Sequence, residues 1–466
     1  TVLTVGEGPE RINARPSGAP AALREELPER WRTVDSVSDL VERVRAALPP
    51  RLTDPDGAAL PGELCWRRAV TEEGERVFYL CNPWSEPLTA EVRLEGRCAV
   101  EFDTASAETR VMNARREGGD IILSLDLPAR GHALWVITDE QLPPAEPTPE
   151  PERMAVELEM AGIQRLSPNA LFLDYCTLEA GGRRVEDVNT VIADDANWRL
   201  QGFEGSVSGS KQFKRNNIAR PIPRDSDLTV SYRFVVDDEV AGDPSLRLGV
   251  ERLYLYEAEL NGQPIDQDAA ERWFDPEARA VPVGDLVRPG ENMLTLHAEP
   301  FHVLCEIMPV YLLGNFSLEP TERGFRAVAP CAPEHGDWTR QGMPFYHRKV
   351  RYRYAFRADA ACEGLEVQLG EWAGSVADVS LDGEGTGVIL HPPYSLRLDR
   401  PIAAGEHELS VDVIGNMRNF MGPHFVDGLP GIWSYRPAPE HGPPGEAYKK
   451  QPTGLMEPPK LWLLKA

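Results

Sequence analysis

The hydrophobic positions of this chain favour strands over helices along most of its length. Near the start, residues 36–48 carry apolar side chains at intervals of three and four, behind serines that can cap a helix, and two prolines follow. This spacing predicts an amphipathic helix that ends at the prolines. Together with a strand predicted over residues 2–5, it indicates that residues 1–60 are the end of an α/β domain. After residue 50, helical spacing is scarce.

Short runs of apolar residues follow one another over residues 61–140 and predict a small β-sandwich. Residues 77–81 form a solid apolar run, which predicts a strand buried on both faces. Alternation over residues 91–94 and 121–127, with turn residues between them, indicates further strands. The next stretch, residues 141–155, is acidic and rich in proline, which predicts an extended linker.

A weak internal repeat occupies the rest of the chain. In each copy a strand ends at a pair that tolerates positive φ, Asn261-Gly262 in one and Asp382-Gly383 in the other. A Gly-Glu turn then leads into an alternating strand in both copies. The pattern predicts two tandem jelly-roll sandwiches, residues 156–320 and residues 321–466, the second with a C-terminal tail. The predicted fold class is therefore mainly β, with tandem sandwiches after a short α/β remnant.

The net negative charge of the chain argues against nucleic acid as a ligand. The formal net charge is -25 and the sequence pI is about 4.9, so nucleic acid would be repelled whereas an uncharged ligand would not. Solubility alone also explains such a charge. No apolar run approaches the roughly 20 residues that a membrane-spanning helix needs. We therefore expect neither a nucleic acid nor a membrane as a partner.

The cysteines point to packing rather than to metal or redox chemistry. All 7 are scattered without a C-x-x-C pair, which argues against a zinc ribbon or a thioredoxin-like site. Several stand in apolar, strand-like stretches, where cysteine packs as a small hydrophobe. We expect buried free thiols, with one or two disulfides as the alternative.

Three stretches of the chain carry a family resemblance. They are EIMPVYLLGNF at residues 306–316, QGMPFYHRKVRYRYAF at residues 341–356 and NMRNFMGPH at residues 416–424. In this order they resemble the C-terminal half of bacterial glycoside hydrolase family 106, the α-L-rhamnosidases. The resemblance implies that the two tandem sandwiches are galactose-binding-like, and that the smaller one before them is the sandwich that often follows the catalytic region.

The same resemblance implies a carbohydrate function without a complete active site in this chain. Enzymes of the family carry a catalytic α/β barrel upstream of this half and cleave terminal α-L-rhamnose with inversion through paired carboxylates, often aided by calcium. The chain lacks the eight alternating strands and helices of such a barrel, so no catalytic residue of the family is transferred to it. It begins in strand-like sequence at Thr1, so we expect a segment of a longer bacterial protein, either cytoplasmic or secreted.

Three functions are compatible with these observations. The first is an accessory region that supports the upstream barrel and contacts a rhamnose-containing glycan. The second is a free-standing lectin-like protein, and the third is an enzyme that acts through Glu306 or Glu371. Because the chain shows no barrel of its own, we favour the accessory region.

The candidate sugar-binding residues are aromatic, imidazole and polar side chains near predicted loops. Aromatic rings stack on the C–H faces of sugars, and planar polar groups bind sugar hydroxyls. The candidates are Trp338, Tyr346, His391, Tyr394, Asn416, Arg418, Asn419 and His424. The alternative for the aromatic residues is that they fill the core. The alternative for the polar residues is that they pin a loop through hydrogen bonds to the backbone.

Glu306 is the acidic residue with the clearest structural prediction. It stands within an apolar stretch, where a carboxylate needs a partner. We predict a buried ion pair with an arginine such as Arg348 or Arg353, rather than a general acid. Glycoside hydrolysis requires two carboxyl groups at a defined distance from each other, and the sequence does not determine the distance between those of Glu371 and Asp378. We therefore favour structural roles for these two residues.

Two acidic clusters are the candidates for a structural calcium ion. Residues 194–195 are both aspartate, and residues 237–239 are two aspartates and a glutamate. Carboxylate oxygens suit calcium, but neither cluster has the spacing of an EF-hand loop. Solvated acidic turns are the alternative, and we expect no other cofactor.

Overall fold

The computed structural model describes most of the chain and resolves it into two compact units. The described residues are 2–5, 11–12, 15–16, 18–28, 31–47, 51–53, 64–104, 106–143, 151–203, 218–219, 226–422, 424–425 and 438–465. One unit comprises residues 1–150 with residues 391–393, and the other comprises residues 151–390 with residues 394–466. Within the described part of the chain, no helix has both the length and the apolar character that crossing a membrane requires.

The first unit begins with a short α/β segment, as the sequence predicts. Its elements are β1 Val2–Val5, β2 Arg11–Ile12, β3 Arg15–Pro16, α1 Ala19–Glu26, β4 Trp31–Val34, α2 Val37–Ala47 and β5 Arg51–Thr53. Strands β1 and β4 pair in parallel. Helix α2 is the predicted amphipathic helix, and the Oγ of Ser36 accepts a hydrogen bond from the Asp39 N–H at 3.0 Å, which caps its first turn.

The rest of the first unit is the predicted small β-sandwich. Its strands are β6 Cys65–Val70, β7 Arg76–Cys81, β8 Leu88–Glu95, β9 Cys98–Phe102, β10 Thr109–Val111, β11 Arg115–Glu117, β12 Asp120–Leu127 and β13 His132–Thr138. One sheet has the order β10-β9-β13-β7-β6, and the other has the order β11-β12-β8-β5, so β5 of the preceding segment completes the sandwich. The prediction that residues 77–81 are buried on both faces is wrong, because Tyr79 is 42% exposed. Strand β7 lies in an antiparallel sheet with one face toward solvent.

The second unit contains two further sandwiches, which we call the central and the C-terminal sandwich. Its first elements are β14 Glu152–Val156, β15 Glu159–Arg165, β16 Asn169–Leu173, β17 Tyr175–Ala180, β18 Arg183–Asn189, α3 Thr190–Leu200, β19 Leu228–Val236, β20 Arg247–Glu251, β21 Glu257–Leu260, β22 Gln263–Pro264, β23 Glu271–Arg272, β24 Ala278–Pro282, β25 Gly290–Ala298, β26 Val310–Gly314, β27 Ser317–Pro320 and β28 Phe325–Val328. They are followed by β29 Lys349–Ala358, β30 Gly364–Gln368, β31 Trp372–Ala373, β32 Val376–Leu381, β33 Glu384–Ile389, β34 Ser395–Leu398, β35 Gly405–Ile414, α4 Met417–Met421, β36 Gly454–Leu455 and β37 Lys460–Lys465.

The central sandwich packs two sheets around a large apolar core. One sheet has the order β16-β26-β20-β24-β23, and the other runs β18-β17-β19-β25-β21-β22, with β28 pairing both β19 and β27. Strand β19 shows how the sequence builds the core, because its alternate side chains are buried. Helix α3 adds the fully buried Trp198, and its first turn is capped because Asn189 Oδ1 accepts a hydrogen bond from the Val191 N–H at 3.1 Å.

The C-terminal sandwich includes two strands that precede the central sandwich in the chain. Its sheets have the orders β14-β37-β30-β34 and β15-β29-β35-β32-β33. The sequence predicts most of β14 as part of the linker at residues 141–155 and β15 as part of the first jelly roll at residues 156–320, whereas both strands belong to the C-terminal sandwich. Residues 144–150 of the predicted linker lie outside the described residues. The two strands pair with β37 and β29, which follow in the chain after the whole central sandwich. Such long-range pairing leaves no local sequence signal.

The repeated turns confirm the hairpins that the sequence predicts. Asn261 and Gly262 have φ values of 55° and 73°, and Asp382 and Gly383 have φ values of 53° and 82°. Each pair joins two antiparallel strands, β21 to β22 and β32 to β33. Two consecutive residues at positive φ match the right-handed twist of the flanking strands, which explains the Asn-Gly and Asp-Gly choices.

The cysteines are free thiols, as predicted, but Cys65 and Cys331 are exposed rather than buried. Four of them, Cys98, Cys176, Cys305 and Cys362, are buried. Burial raises the pKa of the Cys305 thiol to about 11, which leaves it protonated at neutral pH. These side chains therefore pack as small apolar groups.

Candidate functional site

A cleft of about 870 Å³ opens in the central sandwich. Its walls come from β16 and β17, from positions of β18, β19 and β25, from residues 321–325, and from His441, Gly442 and Tyr448. The volume falls within the roughly 300–1,000 Å³ that is typical of small-ligand sites. The candidate functional site is therefore built by sheet residues and by two chain segments that close over the sheet.

Asp174 is the buried carboxyl group of this cleft. It lies between β16 and β17, is 5% exposed, and its carbonyl accepts the Thr190 N–H at 2.9 Å, which fixes its backbone. The Tyr448 hydroxyl donates a hydrogen bond to Asp174 Oδ1 at 2.7 Å. Asp174 Oδ2 has no hydrogen-bond partner among the described residues. Burial raises the pKa of this carboxyl to about 7, because a charge is costly away from water.

The raised pKa makes the stability of the second unit depend on pH through Asp174. Because the folded state keeps the proton at a pH at which the unfolded state releases it, this stabilisation is full at low pH and is lost as the pH rises through about 7. Replacing Asp174 by asparagine removes the titration. We expect the wild type to lose roughly 2–3 kcal/mol of unfolding free energy relative to Asp174→Asn between pH 5 and pH 8.

Urea denaturation of both proteins at the two pH values measures this difference. Comparison with the variant at each pH cancels the contributions of the other titratable groups. A difference that is the same at both pH values would contradict the prediction.

Aromatic side chains form a further part of the cleft wall. Phe172, Tyr175, Phe325 and Tyr448 line it, and the rings of Phe325 and Tyr448 meet edge-on with their centroids 5.5 Å apart. Tyr175 is half-buried, and its hydroxyl donates to the Pro439 carbonyl at 2.9 Å, which fixes the ring. Phe172, Phe325 and Tyr448 are at most 8% exposed and therefore pack within the wall, so the half-buried Tyr175 is the ring with an accessible face.

An ion-pair cluster around Asp187 ties the two closing segments to the sheet. Asp187 pairs with the Arg323 guanidinium, and its Oδ2 accepts the Gly442 N–H at 3.3 Å. The His441 Nδ1 lies 3.6 Å from the same oxygen. The cluster therefore joins the hairpin of β17 and β18 to residues 321–325 and 441–448.

Carboxyl groups outnumber guanidinium groups along the cleft wall. The carboxyl groups belong to Asp174, Glu186, Asp187, Glu291 and Glu322, and the guanidinium groups to Arg233 and Arg323. Three of the five carboxyl groups are engaged by protein donors: those of Asp174 and Asp187, described above, and that of Glu186, which lies 2.8 Å from Arg184 Nε. The cleft thus presents a fixed acidic wall to a ligand.

The structure places Trp338 and Tyr346 in the core of the C-terminal sandwich rather than on its surface. Trp338 is 0% exposed and Tyr346 is 2% exposed. The Trp338 indole N–H donates to the Tyr352 hydroxyl at 2.7 Å, and the Tyr346 hydroxyl donates to the Lys349 carbonyl at 2.6 Å. With both rings enclosed, neither offers a face to a sugar, so the alternative of core packing describes them.

Two of the predicted polar residues, Asn416 and Asn419, pin the loop around α4 through their side chains, and Arg418 takes part through its backbone N–H. Asn416 Oδ1 accepts the Arg418 N–H at 3.0 Å and caps the helix. Asn419 is 2% exposed, donates to the Gln451 carbonyl at 2.7 Å and accepts the Gln451 N–H at 2.8 Å. These hydrogen bonds match the loop-pinning alternative, because they engage the backbone and leave Asn419 no access to a ligand.

His424 is the predicted residue that packs behind the cleft wall. It is 1% exposed, and its Nε2 lies 2.7 Å from the Asn419 carbonyl oxygen. Its ring meets that of Phe172 edge-on, with centroids 4.6 Å apart. Burial lowers the pKa of this imidazole to about 4, so the ring is neutral at neutral pH. His424 therefore supports the wall instead of binding a ligand.

His391 and Tyr394 were predicted to share one stiff loop. By their contacts, residues 391–393 belong to the first unit and Tyr394 to the second. Tyr394 is partly buried against the core of the C-terminal sandwich, and its ring meets Trp372 edge-on at a centroid distance of 5.2 Å. Tyr394 therefore contributes to packing, and sugar binding by His391 stays a prediction.

Glu306 forms an ion pair, but with a different arginine from those predicted. Its carboxylate pairs with Arg252, which is 8% exposed and has a left-handed φ of 47°. Arg252 also lies 3.7 Å from the carboxylates of Glu251 and Glu277. Burial, followed by the nearby Glu306 charge, raises the pKa of Glu251 to about 7. The arginines predicted as partners lie elsewhere, Arg348 just before β29 and Arg353 within it. Nothing in the sequence indicates that Arg252 is the partner of Glu306.

Asp378 has a structural partner, because its carboxylate pairs with Lys349. The backbone N–H of Glu371 donates to Glu457 Oε1 at 3.0 Å, which fixes the backbone of Glu371 and does not involve its carboxyl group. The first calcium candidate, Asp194 and Asp195, lies in helix α3, so these residues do not form the solvated turn that was the alternative. The Asp195 carboxylate pairs with Arg199 at 3.0 Å.

The described residues do not form the calcium site for which the sequence offered two acidic clusters as candidates. Residues 237–239 form a turn, and Asp237 lies 3.3 Å from Arg326 Nη1. In the described ranges, no group of three or more His, Cys, Asp or Glu side chains is placed to hold a metal ion. A structural calcium ion therefore stays a prediction from the family resemblance.

Two residues of the cleft, Asp174 and Tyr448, were not among the residues predicted from the sequence. Asp174 stands in the run Leu-Phe-Leu-Asp-Tyr-Cys at residues 171–176, and a carboxyl in an apolar run is the same signal that identified Glu306. Tyr448 carried no comparable signal, because it stands in a polar tail. Their pairing joins positions 274 residues apart.

Comparison with known proteins gives matches to solved structures. No family model matches the sequence, and no curated protein matches it. A rhamnosidase from Novosphingobium sp. PP1Y is 14% identical, with a TM-score of 0.37, over 99% of this chain and 30% of that chain. A β-D-mannosidase from Dictyoglomus thermophilum is also 14% identical, with a TM-score of 0.22, over 53% of this chain and 31% of that chain.

A family 2 β-galacturonidase from Eisenbergiella tayi, bound to glycerol, is a further match. It is 11% identical, with a TM-score of 0.20, over 55% of this chain and 38% of that chain. The chain thus spans about a third of the length of the solved structures that it matches.

Proposed function

We propose that this chain is the accessory part of an α-L-rhamnosidase-like glycoside hydrolase. It supports a catalytic barrel located elsewhere in the same protein and binds carbohydrate in the cleft of the central sandwich. The make-up of the cleft carries the proposal: it has the volume of a sugar site, the half-buried ring of Tyr175, and an acidic wall in which the carboxyl groups of Glu186 and Asp187 are held by protein donors. Such fixed acceptors suit the binding of hydroxyl groups.

The packing of the three resemblance stretches supports an architectural role for them. Tyr311, His347 and Phe420 come one from each stretch. The rings of Tyr311 and Phe420 are stacked with centroids 4.4 Å apart, and those of His347 and Phe420 are 3.9 Å apart. Phe420 is 0% exposed. The residues that suggest the family therefore form one buried aromatic cluster, which joins distant parts of the second unit.

The engagement of the acidic candidates argues against hydrolysis by this chain alone. Glycoside hydrolysis needs two carboxyl groups that flank the scissile bond. Glu306 is paired with Arg252, and Asp378 is paired with Lys349. Each would have to leave its partner to act on a substrate, so we assign these residues to structure.

A turnover assay tests the proposal. The chain is incubated with p-nitrophenyl α-L-rhamnoside, and we expect no release of nitrophenol above the uncatalysed rate. The Glu306→Gln and Glu371→Gln variants serve as controls, since neither should change that result. Release by the wild-type chain that either substitution abolishes would overturn the proposal, because it would place the catalytic carboxyl group within this chain.

A further inference from the structure

We propose that Cys65 and Cys81 are a modification site: in the presence of a small-molecule disulfide they form a reversible disulfide bond that links the edge strand β6 to β7. The inference concerns the small β-sandwich of the first unit. It goes beyond the proposed function and does not depend on it.

The register of the hairpin formed by β6 and β7 places the two cysteines directly opposite each other. The Asn82 N–H donates to the Gly131 carbonyl, on the side of β13, at 2.9 Å. Because successive residues of a strand direct their backbone groups to alternate neighbours, Cys81 directs its own to β6. Cys65 and Cys81 are therefore a hydrogen-bonded pair, in which the Cα atoms stand about 5.5 Å apart. Disulfides most often have a Cα separation of about this size.

Both thiols stand on the outer face of their sheet. Paired residues share a face, and the inner face of β7 is marked by Phe78 and Leu80, which are buried. Cys65 is exposed and Cys81 is partly exposed, so a dissolved oxidant reaches Cys65 first. In the strand registers of the described residues, no other two cysteines are paired.

The closing reaction is a thiol–disulfide exchange, with oxidised glutathione as the probe. The Cys65 thiolate attacks one sulfur of the glutathione disulfide, displaces one glutathione and leaves a mixed disulfide on Cys65. The Cys81 thiolate then attacks the Cys65 sulfur and displaces the second glutathione. The protein loses two S–H bonds and gains one S–S bond, while the two protons and two electrons end on two molecules of reduced glutathione.

His132 supplies a base beside Cys81. The two residues pair across β7 and β13, and theirs is the closer, non-hydrogen-bonded kind of pair, since Cys81 directs its backbone groups to β6. Burial lowers the pKa of the His132 imidazole, so the ring is neutral at neutral pH. It can therefore accept the proton of the Cys81 thiol before the second exchange step.

The same geometry makes the bond easy to reduce. Directly opposite Cβ atoms in a sheet stand about 4.5–5.5 Å apart, whereas a disulfide favours about 3.5–4.5 Å. Strand β6 must therefore move toward β7, and it can do so because it is the last strand in the order of its sheet. A disulfide that needs such a shift is reduced more readily than a relaxed one. The pair thus suits a reversible link rather than a permanent one.

Oxidation of the whole chain in a glutathione redox buffer, followed by alkylation of the remaining thiols and peptide mapping, tests the pair. We expect a cross-link between Cys65 and Cys81, loss of two of the 7 thiols, and recovery of both after dithiothreitol. In Cys81→Ser, glutathione should remain on Cys65, because the thiol that displaces it is missing. His132→Asn should slow closure severalfold and leave its final extent unchanged.

Cys331→Ser is the matched control, because Cys331 is also exposed but lies outside the strands. This variant should close as the wild type does. If Cys81→Ser does not fold, Cys65→Ser, at an exposed position, takes its place and should lose the cross-link. Separate glutathionylation of both thiols, or a cross-link that includes Cys331, would overturn the pairing. An unchanged rate in His132→Asn would overturn the role of the imidazole.

Hydrogen exchange of the β6 amides tests whether the bond holds the edge strand. Edge strands open readily, and closing a loop of about 15 residues stabilises a fold. We expect the β6 amides to exchange about tenfold more slowly, or slower still, in the oxidised chain than in the reduced chain. Amides of β12, which lies in the other sheet, should change little. Equal exchange of β6 in the two states would show that the bond does not link the strand as proposed.

Discussion

Replacing Trp338 by alanine is expected to lower the free energy of unfolding of the second unit by about 3–5 kcal/mol. The indole is fully enclosed in the core of the C-terminal sandwich, and its N–H donates to Tyr352 at 2.7 Å. The truncation removes the packed ring, leaves a cavity and deprives the buried Tyr352 hydroxyl of its donor. Urea denaturation followed by far-UV circular dichroism measures the loss.

A second tryptophan supplies the control for this substitution. Trp84 is 56% exposed, so Trp84→Ala should change stability by no more than about 0.5 kcal/mol. If Trp338→Ala unfolds at the same urea concentration as the wild type, Trp338 is not a core residue. A surface role in sugar binding would then regain support.

Replacing Arg252 by methionine is the second substitution with a large expected effect. Arg252 is buried and is the cation around which Glu306, Glu251 and Glu277 gather. Removing one partner of a buried ion pair typically costs about 3–5 kcal/mol, because the remaining charge is uncompensated. We expect the loss to be larger at pH 8 than at pH 5.5. The pKa of Glu251 is raised to about 7, so this carboxyl group is protonated at the lower pH and no longer repels its neighbours.

The control for Arg252 is an arginine on the surface of the same sandwich. Arg326 pairs with Glu319 and Asp237 at an exposed edge, where solvent screens the attraction, so Arg326→Met should have little effect at either pH. Thermal unfolding of the two variants at both pH values gives the comparison. An Arg252→Met protein as stable as the wild type at pH 8 would show that the cluster does not hold the fold together.

The periodic features of the chain were predictable from the sequence, because their causes are local. The Asn261-Gly262 hairpin follows from the positive φ that its turn requires, and α2 follows from apolar spacing and a serine cap. Strands β14 and β15 could not be placed, since their partners β37 and β29 follow only after the whole central sandwich. Their pairing is decided by the whole fold.

The candidate site was less predictable than the fold, because residue type alone does not determine exposure. Trp338 has the side chain expected of a sugar platform, yet the C-terminal sandwich encloses it completely. A carboxyl in an apolar run did identify Glu306 as an ion-pair residue, although its partner proved to be Arg252. The same signal at Asp174 was overlooked. Its importance depends on Tyr448, which the fold brings to it from a distant segment.

Saturation-transfer NMR of the chain with a rhamnose-containing oligosaccharide tests the central claim most directly, because one sample reports both binding and cleavage. We predict magnetisation transfer to sugar protons and no free rhamnose after prolonged incubation. Accumulation of free rhamnose with the wild-type chain, abolished in Glu306→Gln, would contradict the claim that the chain binds carbohydrate without hydrolysing it.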